Sequence, residues 1–176
     1  MLIGLVRHFE VDCPHRALMN STDFREWIDH YDCSPIKTMD LIGEQKIWNK
    51  CYCSDLSRAI ETAQHIYEGD ISISEQIREV PIAPVFETNV KLPYLFWLMA
   101  GRMAWFCSQR SQPETISQTK GRVQRFVGGI LEEGNILIVT HGFFMMHIQK
   151  ELCTRGFLGK RITRARYGEI YVFEKR

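Results

Sequence analysis

Apolar positions along this chain follow two rhythms. Short runs with strand character occur at residues 2–6, around Cys51, and at 71–74, 136–140 and 170–173. Between them, apolar residues recur at helical spacing over 55–67, 92–107, 114–132 and 143–152. Strands that alternate with helices predict an α/β fold, a three-layer sandwich whose mostly parallel central sheet is flanked by helices. The apolar run ending at Thr140, followed by His141-Gly142 and a helical pattern, predicts a strand, a tight turn and a helix N-terminus.

Two stretches break this alternation. Residues 13–47 carry Trp27, Asp29, Tyr31, Asp32 and Asp40 with helical signals and no strong strand, and 80–112 surrounds a strongly apolar helix. Both are expected as excursions that cap or wall a site at the edge of the sheet. With 176 residues and no linker or repeat, a single domain spanning 1–176 is expected. Hydrophobic residues at 45% and charged residues at 24% match a globular protein. The formal net charge of +1 supplies no global field for nucleic acid or an anionic membrane, so anion binding must be local. The apolar stretch 92–107 includes Pro93 and Arg102 and falls short of a bilayer span. Six cysteines, at 13, 33, 51, 53, 107 and 153, are read as reduced and mostly buried thiols. No secretory leader pattern opens the sequence, and a cytoplasmic location is expected.

In open α/β sheets, ligands bind beyond the carboxyl ends of the strands. Arg7-His8 ends the first strand, and His141 ends the 136–140 strand. Cys53-Ser54-Asp55-Leu56-Ser57-Arg58 places an arginine in the first turn of a helix, with Ser54 as a plausible N-cap. Each element alone is weak, since a single buried histidine is more often structural. Their conjunction in chain order carries the reading. Leu5-Val6-Arg7-His8, Ser54 through Ala63, Ile77-Arg78-Glu79 and Ile138-Val139-Thr140-His141-Gly142 together resemble the histidine phosphatase superfamily, also called phosphoglycerate mutase-like.

The resemblance runs over 2–173 and implies a phosphoglycerate mutase-like fold and a phosphatase that forms a phosphohistidine. By motif, His8 is the nucleophile, Arg7 and Arg58 clamp the phosphate, and His141 is the second pocket histidine. Glu79 matches the proton donor. Glu87, in Phe86-Glu87, is the reserve, standing where many members have Trp-Glu. Members usually carry Gly after the first histidine, where this chain has Phe9. A neutral imidazole can act as nucleophile near neutral pH. Phosphoryl transfer relies on positioning and charge, which two guanidiniums and an imidazolium supply with neither metal nor cofactor. The expected partner is a small phosphorylated substrate, with no nucleic acid and no membrane; the oligomeric state stays open.

Three alternatives accompany this reading: a phosphohistidine protein phosphatase, a mutase-type phosphotransferase, and a non-catalytic module that binds a phosphorylated ligand. No cysteine has arginine six positions later, as a cysteine phosphatase requires, and neither a P-loop nor a dinucleotide fingerprint occurs. Cys51 and Cys53 have the wrong spacing for a common zinc module. His15, His30, His65 and His147 are read as surface or supporting residues. The aromatic and Met residues of 94–106 are read mainly as packing of one helix. A sharper option is that this helix sorts substrates, with Arg16 or Arg102 meeting a second anionic group.

Overall fold

The computed structural model describes residues 1–43 and 46–175. In chain order the strands are β1 (Leu2–Arg7), β2 (Leu18–Met19), β3 (Lys50–Ser54), β4 (Ile71–Ser74), β5 (Leu92–Pro93), β6 (Ile136–Thr140), β7 (Phe157–Gly159) and β8 (Ile170–Lys175). The helices are α1 (Ser21–Cys33), α2 (Ser57–Ile66), α3 (Tyr94–Phe106), α4 (Ile116–Ile130) and α5 (Gly142–Thr154), with a 3-10 turn at Glu75–Ile77. The architecture is mixed α/β with a mostly parallel central sheet. Every strand expected from the apolar runs is present, β1 and β8 extending slightly beyond them.

The residues divide into two compact units. The first comprises Met1–Val11, Ile36–Glu79 and Gly121–Arg176 and contains the six-stranded sheet, in order β4-β3-β6-β1-β8-β7. Strands β4, β3, β6 and β1 run parallel, whereas β8 is antiparallel to β1 and β7 to β8. The interior strand β6 is buried at every position, which explains its unbroken Ile-Leu-Ile-Val-Thr run. Val6, Cys51, Cys53, Leu137 and Val139 pack with Ala59 and Ala63 of α2. That helix buries Arg58, Ala59, Thr62 and Ala63, one face at helical spacing.

The second unit comprises Asp12–Pro35 and Val80–Lys120. Its antiparallel β2-β5 pair stands beside a core of Met19, Phe24 and Trp97, and the Trp97 indole donates to the Met19 carbonyl at 2.8 Å. Helix α1 begins with a reciprocal cap: the Asn20 side chain accepts from Asp23 N, and Asp23 Oδ2 accepts from Asn20 N. Helix α3 is not purely packing. Trp97, Gly101, Ala104 and Trp105 are buried, while Leu95, Met99, Met103 and Phe106 are exposed. Among the described residues, no helix is long and apolar enough to cross a membrane.

All six cysteines are free, and the expectation of mostly buried thiols fails. Only Cys51 and Cys53, both in β3, are buried; Cys33, Cys107 and Cys153 are exposed at helix ends.

Candidate active site

The sheet register brings the site together. Arg7 stands opposite Thr140 on the parallel neighbours β1 and β6, so His8 and His141 leave the sheet side by side. His8 N donates to the Thr140 carbonyl at 2.9 Å, and the two imidazole centroids are 5.1 Å apart. On the far side of β6, Cys53 is opposite Val139, which places Ser54 next to His141. Ser54 Oγ lies 2.8 Å from His141 Nε2. Ser54 is therefore not the N-cap of α2. Leu56 takes that position without a side-chain cap, while Ser54 Oγ accepts from Leu56 N in the preceding turn.

Both histidines are buried, and so is Arg58. Burial, then the charges of Arg58 and Arg7, hold the His8 imidazole well below 6.5, against a smaller opposing effect of the Phe9 carbonyl. His141 is depressed first by burial and then by His8, Arg58, Arg7 and Arg122. His8 Nδ1 is 2.6 Å from the Phe9 carbonyl oxygen, which can only accept. Nδ1 thus carries the proton of neutral His8, and Nε2 keeps its lone pair. For His141 the Ser54 hydroxyl can donate or accept at Nε2, and the buried Nδ1 has no hydrogen-bond partner among the described residues.

Arg58 occupies the first turn of α2, where the helix dipole disfavours a cation. Thr62, one turn later, accepts from Phe9 N at 2.9 Å and donates to the Arg58 carbonyl at 2.6 Å, tying the turn after His8 to this helix. Arg7 is held differently. Its Nη1 donates to the Ala165 carbonyl at 3.0 Å, and its Cζ lies 3.6 Å above the centroid of the Tyr167 ring. A Cβ at Gly142 would stand only 3.1 Å from Arg7 Nε, so glycine permits the approach of the α5 backbone to this guanidinium.

Glu79 reaches the start of α5, its two carboxylate oxygens accepting from Phe143 N at 3.2 Å and Phe144 N at 3.0 Å. This is an N-terminal cap supplied from a distant stretch of chain, and a negative group there also suits the helix dipole. The strap carrying Glu79 is fixed on several sides. Thr140 Oγ1 donates to the Ile77 carbonyl at 2.6 Å, Arg122 donates to the carbonyls of Gln76 and Arg78, and Arg78 pairs with Asp55. Glu87 is held in the second unit, where it pairs with Arg25 and accepts from Ser21. The Arg25 hydrogen bond, then Ser21, holds its carboxyl below the usual range, which suits a structural ion pair better than a proton donor. Arg16 pairs with Asp23, and Arg102 donates to the Val80 carbonyl, both within that unit.

Phe9 keeps an ordinary backbone conformation and a fully buried side chain. Its ring lies 5.5 Å from that of His65, and a Cβ at Gly168, whose φ of +64° places it in the left-handed region, would stand only 3.1 Å from Phe9 Cε1. Glycine freedom is thus used at Gly168 rather than at residue 9. Two neighbours of the histidines escaped sequence reasoning: Ser54, for which strand register was the available signal, and Tyr167, whose ring is 5.6 Å from that of His8.

His8 and His141 thus follow adjacent parallel strands, with Arg7 at the end of β1 and Arg58 in the first turn of α2. The histidine phosphatase superfamily (branch 1) matches residues 40–174, and the chain belongs to it. No curated relative matches this sequence. A protein of Thermus thermophilus shares the fold with a TM-score of 0.59 at 19% identity, covering 98% of this chain and 92% of that one. The alpha-ribazole phosphatase from Shigella flexneri gives 0.52 at 20% identity, covering 86% and 79%. The mycobacterial glucosyl-3-phosphoglycerate phosphatase gives 0.52 at 13%, covering 87% and 79%. At these identities the likeness concerns the fold.

Proposed function

We propose that the chain hydrolyses phosphate monoesters through a phosphohistidine on His8, without a metal. The observation that carries this is the hydrogen bond from His8 Nδ1 to the Phe9 carbonyl. It leaves Nε2 unprotonated in a depressed imidazole beside Arg7 and Arg58. In the first step Nε2 attacks phosphorus, the ester P–O bond breaks, and the leaving oxygen takes a proton from the Glu79 carboxyl. In the second, water gives a proton back to the Glu79 carboxylate as it attacks phosphorus, the N–P bond breaks, and inorganic phosphate departs with His8 restored. Arg7 and Arg58 bind the equatorial oxygens, where transition-state charge gathers. An arriving dianion favours protonation of His141, adding a third cationic donor.

Glu79 is the proposed proton relay. Its carboxylate is held at the start of α5, two and three residues after His141, by Phe143 N and Phe144 N. Glu87 is set aside because it is paired with Arg25 and Ser21.

The test is turnover of p-nitrophenyl phosphate by wild type and by His8→Ala, each with and without EDTA. Chelator-insensitive activity that disappears in the variant supports the proposal. Wild-type inactivity toward this and a panel of phosphomonoesters, or an absolute demand for added metal, overturns it.

A further inference from the structure

We infer that Tyr167 is a positioning residue that holds the Arg7 guanidinium against its ring, keeping the cation oriented for a phosphoryl group without neutralising it. The inference rests on the reading of Arg7 as a phosphate clamp. An arginine drawn into the interior is ordinarily paired with a carboxylate. Among the described residues, Arg7 has no such partner, and its buried Nε has no hydrogen bond. What holds it is the Tyr167 ring at 3.6 Å, the Ala165 carbonyl, and a local backbone bridge in which Gly168 N donates to the Arg7 carbonyl at 3.0 Å.

The choice of an aromatic has a physical reason. A carboxylate would fix the guanidinium equally well, but would cancel the charge that attracts phosphate. The face of a ring holds a guanidinium by its quadrupole and by dispersion, leaving the net charge and the N–H groups not bonded to Ala165 for the ligand. The same ring lies 5.6 Å from that of His8, so one side chain sets both the cation and a wall of the nucleophile's surroundings. Sequence patterning offers no hint of this, because Tyr167 precedes β8 and reaches Arg7 only when that strand returns beside β1.

The experiment measures inorganic phosphate affinity by calorimetry, and kcat and KM for p-nitrophenyl phosphate, in wild type, Tyr167→Phe, Tyr167→Leu and Tyr167→Gln. It repeats the Leu substitution in an Arg7→Ala background. The Phe variant should stay within about two-fold of wild type, and the Leu and Gln variants should lose about ten-fold in phosphate affinity. In the Arg7→Ala background the Leu substitution should have little further effect, because the two side chains act as one unit. Tyr167 is only half-buried, and Gln serves as the second non-aromatic variant if Leu does not fold. Three results overturn the inference: wild-type phosphate affinity in the Leu or Gln variant, an equal loss in the Phe variant, or a full loss persisting without Arg7. A wild type with neither phosphate binding nor His8-dependent turnover overturns the underlying reading and this inference with it. That failure shows in the wild type alone, whereas failure of the inference shows only among variants of an active wild type.

Discussion

Acidification should destabilise this chain through the two site histidines. Both are buried, and burial first, then neighbouring cations, keeps their folded-state values well below 6.5. Unfolded, each titrates near about 6.5. Above that value both states are neutral and the histidines contribute no pH dependence. Below it the unfolded chain takes up protons that the folded chain resists, so stability falls as pH falls. Between about pH 7.5 and about pH 5.5 the loss reaches up to about 1.4 kcal/mol per histidine, or about 3 kcal/mol together. That is a large share of the roughly 5–15 kcal/mol typical of a domain. The assay is urea unfolding at both pH values for wild type and for a His8→Asn, His141→Asn double variant. Carboxylates and the other histidines are common to both and cancel in the comparison. The double variant should lose about 2–3 kcal/mol less on acidification. Equal losses would refute the claim that these imidazoles are held neutral by burial.

Three further outcomes follow from the same geometry. Glu79→Gln removes one acceptor from the first turn of α5 and should cost about 1 kcal/mol in unfolding free energy. If Glu79 also relays the proton, hydrolysis of an alkyl phosphate should fall about 100-fold or more, and that of p-nitrophenyl phosphate, with its better leaving group, far less; equal losses would leave Glu79 as a cap alone. Gly142→Ala would place a Cβ 3.1–3.2 Å from the Arg7 guanidinium. It should weaken phosphate binding with little change in Tm, and unchanged binding would show that Arg7 tolerates displacement. Burial pushes the Cys51 thiol up to about 12 and Cys53 to about 11, so iodoacetamide should spare both in the native protein while labelling Cys33, Cys107 and Cys153. Native-state labelling of Cys51, read by peptide mass spectrometry, would contradict the packing of β3.

The sheet was legible because buried parallel strands must be continuously apolar, as in β6, and because histidines immediately after β1 and β6 fall at adjacent strand ends. The two-residue strands β2 and β5 and the three-residue β7 are too short to show periodicity. Ser54 was misread for a local reason. Serine before a helical pattern suggests an N-cap, yet strand pairing holds it in β3, where it meets His141 instead. Cys33, Cys107 and Cys153 misled because cysteine is usually buried, a tendency that says nothing about a particular helix end. Phe9 stands where relatives usually carry glycine and keeps an ordinary backbone, whereas Gly168, bonded to the Arg7 carbonyl, adopts the left-handed conformation. Tyr167 and the capping role of Glu79 depend on contacts between distant stretches of chain, which no local pattern encodes.

The most direct test of the central claim is to quench a wild-type reaction with p-nitrophenyl phosphate on the millisecond scale and map the phosphorylated residue by mass spectrometry under conditions that preserve phosphoramidates. The account predicts a transient phosphoryl group on His8, attached at Nε2 and absent from His8→Ala. Phosphorylation at another residue during turnover, or full turnover by His8→Ala, would contradict it.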